Sequence, residues 1–346
     1  MSSRRPALAT PRLAVAATPM AFVKAIVHAF TLRGQSPLVA LQAAQITPAD
    51  VQREDGRITA LQMEWLSAAA MQALDDEALG WFSRPLPWGS YGLLARASLS
   101  ATTLGVALKR WCRHHGLLTR DITLAVQVQG EEAAIVLTEH RPPGGDGSLR
   151  EFCQVSVLRN VHGLACWFVD SRIPLRGARF TFAAPHHADA YTVLFDGPTR
   201  FGAEQTAICF DARYLELPVK RDEAAMNQML QRALPLQVRP YRRDRLLVQR
   251  VRQLLLTRPQ DTRNADDLAG LLHTSGRSLH RQLKEEGATL QALKDEVRRE
   301  RAMTLLQRSS KPVKQVAEAA GFQNEKSFIR AFRGWTGMTP GEWRGR

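Results

Sequence analysis

The strongest constraint on how this chain can fold lies in about its last hundred residues, where one two-helix pattern occurs twice. The first copy runs from Asn264 to Leu283 and the second from Pro312 to Phe332. In each, a short helix with an apolar face stops at a turn, Thr274-Ser275-Gly276 in one and Gly321 in the other. A helix bearing Arg and polar residues follows at once. Two helices sharing one apolar seam across so short a turn form a helix-turn-helix, which sets one helix across a DNA backbone and the next in the major groove. Two such units in series let one polypeptide read two consecutive groove faces.

The residue spacing within each copy supports this reading. In the first, Leu279 and Leu283 stand at i and i+4 and face a core. Arg277, His280, Arg281 and Lys284 take the opposite side at i, i+3, i+4 and i+7. An Arg there can make bidentate contacts to guanine O6 and N7, worth ~1–3 kcal/mol of base discrimination. On an isolated helix such a face is more often simply solvated; the turn preceding it favours the recognition role. In the second copy Phe328, Phe332 and Trp335 repeat as core, leaving Lys326, Ser327, Arg330 and Arg333 exposed. Lys326 and Arg330 are the expected base readers there, whereas Arg333, Lys314 and, in the first unit, Lys284 are assigned to phosphates. A helix from about Leu290 to Gln307 separates the copies and would span ~25 Å as a spacer. Consecutive major grooves on one face of DNA lie ~34 Å apart, so the geometry is compatible. A preceding helix over 243–257 and a short closing one over 338–344 bring the expected total to seven.

Charge follows the same division. Residues 241–346 hold 22 Lys and Arg against 12 Asp and Glu, a net of +10, while the other 240 residues net +4. Positive charge is therefore concentrated where phosphates would be neutralised. At 346 residues the chain is long enough for two domains. The expected division is a disordered extension over 1–18, an α+β domain over 19–235 that binds an effector or dimerises, and an all-α DNA-binding domain over 236–346 with two helix-turn-helix units. In the α+β part, helices are expected over 21–34, 59–79, 103–114, 149–169 and 223–234. Strands are expected over 91–99, 122–128, 133–138, 180–183 and 206–210, the second and third joined as a hairpin at Gly130-Glu131.

Cys112, Cys153, Cys166 and Cys209 show no Cys-x-x-Cys spacing and are expected as buried thiols in a reducing, cytoplasmic setting. No apolar run reaches the ~18–20 residues of a membrane span. The pairs His114-His115 and His186-His187 lack His-Glu-x-x-His spacing, and neither a metal, a cofactor nor a catalytic residue is expected. Trp65, Trp81, Trp88, Tyr91, Trp111 and Trp167 either line an apolar effector pocket or serve as plain core. Arg96 and Arg150 either hold a carboxylate or form surface ion pairs; no effector-binding residue is assigned.

The tandem units, together with Arg281, Gly287, Ala302, Leu305-Leu306, Ala317, Gly321-Phe322, Phe328, Arg330-Ala-Phe332 and the Gly337…Thr339-Pro340…Trp343-Arg344 ending, resemble the AraC/XylS family of bacterial regulators over residues 243–346. Further upstream, Pro87-Trp-Gly-Ser-Tyr-Gly-Leu-Leu94 and Thr103-Leu-Gly-Val-Ala-Leu108 are similar to the arabinose-binding-like effector domain of a subgroup that includes regulators of ornithine or arginine use and some that respond to fatty acids, so the resemblance implies no single ligand chemistry. The resemblance implies a promoter-binding regulator, more often activator than repressor, that recruits RNA polymerase and answers to a small molecule. It also implies base-contacting positions at Arg277, His280 and Arg281, and at Lys326, Ser327 and Arg330. His280 departs from the amide side chains common at its position. Homodimerisation through the first domain and a nucleoid-associated location in the cytoplasm complete the expectation.

Two other classes compete. An architectural protein binding DNA with little sequence preference would share the charge but leave the α+β domain without a role. A DNA-repair methyltransferase needs a thiolate beside a base and a four-cysteine zinc cluster, and cysteines 41, 13 and 43 residues apart suit this poorly.

Overall fold

The computed structural model describes residues 16–143, 147–231, 246–259, 261–262, 264–309 and 311–344. The chain divides into two compact units, Met1–Asp244 and Arg245–Arg346. The first is α+β and the second helical. Most of the expected N-terminal extension, and the expected boundary after residue 235, lie outside the described residues. The part of that extension that is described is a strand, β1 (Ala16–Pro19), paired antiparallel with β2 (Arg57–Thr59). Pairing with a segment forty residues away orders a stretch that has no local signal of its own.

In the first unit the main sheet has five strands in the order β3 (Ile122–Gln129), β4 (Glu132–Glu139), β7 (Thr206–Asp211), β5 (Leu175–Arg179) and β6 (Thr199–Arg200). Neighbours are antiparallel except β5 and β6. The β3–β4 hairpin closes at Gly130, whose φ of 57° suits a two-residue turn, and pairs without a slip from Ile122↔Glu139 to Gln129↔Glu132. The long helix α7 (Ser148–Val169) packs on β4 and β7 and against α1 (Met20–Leu32) and α6 (Leu104–Leu118). Its residues are buried over nearly its whole length because neighbours cover it on several sides. Three further helices matter below: α4 (Ala60–Leu74), α5 (Ser90–Leu99) and α9 (Glu223–Leu230). The shorter helices α2 (Leu38–Ala43), α3 (Pro48–Val51) and α8 (Tyr191–Leu194) complete the set.

Two strand expectations in this unit are corrected. Residues 91–99 are the helix α5, started by a distant cap: the Glu77 carboxylate accepts the N–H groups of Gly89 (2.7 Å) and Tyr91 (2.6 Å). Those amides would be unsatisfied at a helix N-terminus, and the acidic group also suits its positive end. Residues 180–183 follow β5 instead of forming a strand. Phe180 is wholly buried in a ring cluster with Tyr191 and Phe195, so its apolar weight belongs to packing beyond the strand end.

The four cysteines are free thiols, all buried. Burial pushes the Cys112 thiol up to about 12 and raises those of Cys153 and Cys209, which keeps them protonated and poorly nucleophilic at neutral pH. No described helix is long and apolar enough to cross a membrane.

The second unit contains seven helices among its described residues: α10 (Leu246–Thr257), α11 (Ala265–Leu271), α12 (Gly276–Glu285), α13 (Leu290–Arg308), α14 (Val313–Ala319), α15 (Glu325–Thr336) and α16 (Pro340–Arg344). They build two separate cores. Val251, Leu268, Leu279, Leu283 and Val297 belong to the first; Leu306, Val316, Ala317, Phe328 and Phe332 belong to the second. The helix α13 contributes to both, with Leu290, Leu293 and Val297 from its first half and Ala302 and Leu306 from its second.

Candidate nucleic-acid interface

Each helix-turn-helix is set by the same local chemistry. Asn264 caps α11 by accepting the Asp267 N–H at 2.8 Å, Ser275 caps α12 through Ser278, and Asn324 caps α15 through Ser327. Pro312 is the N-cap of α14, one position ahead of the first helical turn in which the sequence pattern puts it, and it supplies no side-chain bond. Both turns close alike. The Thr274 N–H donates to Ala269 O and that of Phe322 to Ala317 O, each wrapping the end of the first helix. The residue at the bend is left-handed in both, Gly321 at φ +85° and His273 at φ +53°. Glycine adopts this backbone freely, whereas a side chain there is strained. The bend of the first unit is therefore His273, ahead of the Thr274-Ser275-Gly276 stretch that the sequence suggests.

On α12 the fully buried Leu279 and Leu283 anchor one face, and Arg277, His280, Arg281 and Lys284 are exposed. The Arg281 guanidinium lies 3.9 Å from Glu285, a weak surface pair between two well-solvated groups. On α15 Phe328 and Phe332 are buried, while Lys326, Arg330 and Arg333 are exposed. Ser327 is half-buried and its backbone N–H is engaged by Asn324. Lys314 is exposed on α14, the helix that precedes the reader. Each unit thus presents three or more cations on one face of its second helix. An acid in the first turn of α15, Glu325, favours the helix without lying on the Lys326–Arg330 edge.

What fixes one face relative to the other is α13, a single helix of 19 residues, ~28 Å long at 1.5 Å per residue. Contacts that the sequence pattern does not reveal brace its middle and tie the first reader to α10. The Arg252 guanidinium of α10 pairs with Glu296 at 3.2 Å and with Glu300, gripping α13 at its middle. Glu286, just past α12, accepts the N–H groups of Leu247 (3.1 Å) and Val248 (2.8 Å) and so ties the first reader to the start of α10. Toward the second unit, the Arg298 guanidinium sits 5.3 Å over the Phe322 ring in the turn before α15. The i, i+4 spacing of Glu296 and Glu300 is the one local signal such a clamp leaves in the sequence, and nothing local marks Arg252 as its partner.

In the first unit, five of the six aromatic residues singled out from sequence line one cavity of about 360 Å³: Trp65, Trp81, Trp88, Tyr91 and Trp111. Trp167 stands apart, packed on Phe168 with Arg221 5.2 Å over its ring. Arg96 is paired with Glu223 at 2.7 Å, and Arg150 with Glu139 at 2.8 Å, so both are ion-pair residues.

Two family models match this chain. The arabinose-binding N-terminal domain of AraC transcription regulators matches residues 34–219, and a helix-turn-helix domain matches residues 268–346. The ornithine utilization regulator of Pseudomonas aeruginosa is 29% identical over 329 residues, covering 94% of this chain and 96% of that protein. The HTH-type transcriptional regulator VqsM of the same organism is 26% identical over 265 residues, covering 73% and 79%. Among solved structures, transcriptional regulator CdpR from Pseudomonas aeruginosa aligns with 90% of this chain and 96% of its own at 23% identity, with a TM-score of 0.35.

Proposed function

Because this chain belongs to the AraC family of transcription regulators, we propose that it reads two adjacent major-groove segments of promoter DNA through α12 and α15. It is a DNA-binding regulator and not an enzyme, in keeping with its matched relatives. The observation that carries the finer reading is the pair of exposed cationic faces built on separate cores that share α13. In this reading Arg277, His280 and Arg281 meet base edges in one groove segment, and Lys326, Ser327 and Arg330 in the next. Lys284, Lys314 and Arg333 hold phosphates, which sets register without reading sequence.

Residues 236–346 are the reading domain and residues 19–235 the domain that senses an effector or pairs two copies of the chain. A bound effector acts by shifting the population of arrangements competent for DNA. The relative named for ornithine utilization makes ornithine a reference compound against which other candidate effectors are compared. Activation through RNA polymerase in the cytoplasm is the mode we assign.

The test is sequencing of fragmented genomic DNA bound by the purified full-length protein at near-physiological salt. Sharp peaks sharing a bipartite motif, its halves about one helical turn apart, support the reading. Broad, salt-sensitive enrichment with no motif, with or without ornithine, overturns it in favour of a low-specificity architectural protein.

A further inference from the structure

The aromatic cavity of the first unit holds an unusual gathering of unpaired polar atoms. Trp81 Nε1, Tyr91 Oη, His115 Nδ1 and Asn160 Oδ1 are each buried without a hydrogen-bond partner, and all four residues line this one cavity. Trp81 and His115 are only 8% and 6% exposed. A buried polar atom without a partner costs ~1–3 kcal/mol; here four sit on residues of one lining, each atom covered by its neighbours, so an outside partner reaches them by displacing part of that lining. At about 360 Å³ the space falls within the range of small-molecule sites, ~300–1,000 Å³, and has room for a fused pair of rings. Trp65 and Trp88, 39% and 52% exposed, stand where the lining meets solvent and mark an entrance.

Charge narrows the occupant. Arg96, the only Lys or Arg among the described lining residues, is taken by Glu223 and Asn227. Burial pushes the His115 imidazole down to about 4, so it is neutral at physiological pH. Among the described lining residues an anion would find no free cation and would face Glu64 and Glu77. A cation would have to compete at Glu77, whose carboxyl pKa is raised by burial and whose two oxygens already accept backbone N–H groups, and at Glu64, which already has a partner. The unpaired set instead offers at least one donor, Trp81 N–H, and at least one acceptor, Asn160 O, with Tyr91 able to do either. The aromatic lining residues Trp65, Trp81, Trp88, Tyr91 and Trp111 offer ring surfaces against which an aromatic partner packs face-on or edge-on.

We infer that this cavity is a ligand site for an uncharged, planar aromatic molecule bearing a hydroxyl or carbonyl group. The inference rests on the reading that residues 19–235 sense an effector, and it sets that effector apart from a zwitterionic amino acid.

The experiment uses full-length protein without DNA and follows tryptophan fluorescence and heat of binding with isosteric probes. These are 2-naphthol, 2-methylnaphthalene, 2-naphthoate and 2-naphthylmethylammonium, with ornithine alongside. Saturable binding of 2-naphthol at least tenfold tighter than either charged analogue or ornithine is expected. Tyr91→Phe and Asn160→Leu should each weaken 2-naphthol about three- to tenfold, the loss of one hydrogen bond, while leaving 2-methylnaphthalene unchanged. Failure of 2-naphthol to bind, a charged probe or ornithine binding as tightly, or indifference to both variants overturns the inference. Thermal unfolding of the variants confirms that they fold. DNA affinity with and without saturating 2-naphthol is then a separate measurement. If the ligand binds and DNA affinity does not change, the site stands and its role as the regulatory effector site falls.

Discussion

Arg298, on the helix shared by both cores, lies with its guanidinium 5.3 Å over the ring of Phe322, in the turn that leads into the second reading helix. Phe322 in turn packs against Phe328 of that helix, ring centres 5.4 Å apart. A cation over an aromatic face is worth ~0.5–2 kcal/mol, depending on how far it is desolvated. Both residues are half-buried. Arg298→Met keeps a chain over the ring and removes the charge, and should cost about 1 kcal/mol. Hydrogen exchange at the Gly321 and Phe322 amides, which close the turn onto Glu318 and Ala317, should quicken while exchange in α12 stays unchanged.

Arg330 is the residue on which base selectivity of the second unit should depend most. Arg330→Ala is expected to cost ~1–3 kcal/mol on the best site and to relax preference at a single base-pair step. Binding measured across site variants checks this. Equal weakening on every sequence would reassign Arg330 to a phosphate. Lys314→Ala should show that uniform pattern, with the salt slope reduced by about one.

His273 carries strain that Gly321, its counterpart in the second unit, avoids. A non-glycine residue at this backbone costs ~1–2 kcal/mol. His273→Gly should therefore stabilise the first helix-turn-helix by about 1 kcal/mol, and His273→Val should destabilise it by at least as much. Denaturant unfolding, with DNA affinity as a check on the fold, measures both.

Acid should weaken the first unit in a defined window. His115 is buried, and desolvation lowers its pKa from 6.5 to about 4 in the folded state. Between those values the unfolded chain binds the proton and the folded one does not. Stability is thus complete above pH 6.5 and declines as pH falls toward 4, by about 3 kcal/mol at the limit. Burial lowers His162 as well, and in the same direction. His115→Gln should flatten part of the decline in unfolding curves recorded from pH 7 to 4; an unchanged slope contradicts the assignment.

The second unit was far more legible in sequence than the first, for physical reasons. In α12 and α15 the core residues, Leu279 with Leu283 and Phe328 with Phe332, recur at helical spacing, and local caps at Ser275 and Asn324 mark the starts. Everything needed to place those helices lies within a few residues. The α5 stretch is different. Its buried positions include the small residues Gly92, Ala95 and Ser98, Leu93 faces solvent, and the cap comes from Glu77, so apolar spacing alone suggests a strand. The pairing of β1 with β2 and the grip of Arg252 on Glu296 and Glu300 are likewise set by partners distant in sequence. The cavity was half legible. Its tryptophans stood out by type, whereas Asn160 and His115 became notable only once burial left them unpaired.

The central claim is that α12 and α15 engage DNA together at a spacing held by α13, and phasing tests it most directly. Affinity of the full-length protein is measured for its selected bipartite site and for the same site with five base pairs inserted between the halves, half a helical turn. A rigid spacer predicts a fall of at least a hundredfold, toward the affinity of one half-site alone. Retained affinity across the insertion would contradict the account and leave two independently tethered readers.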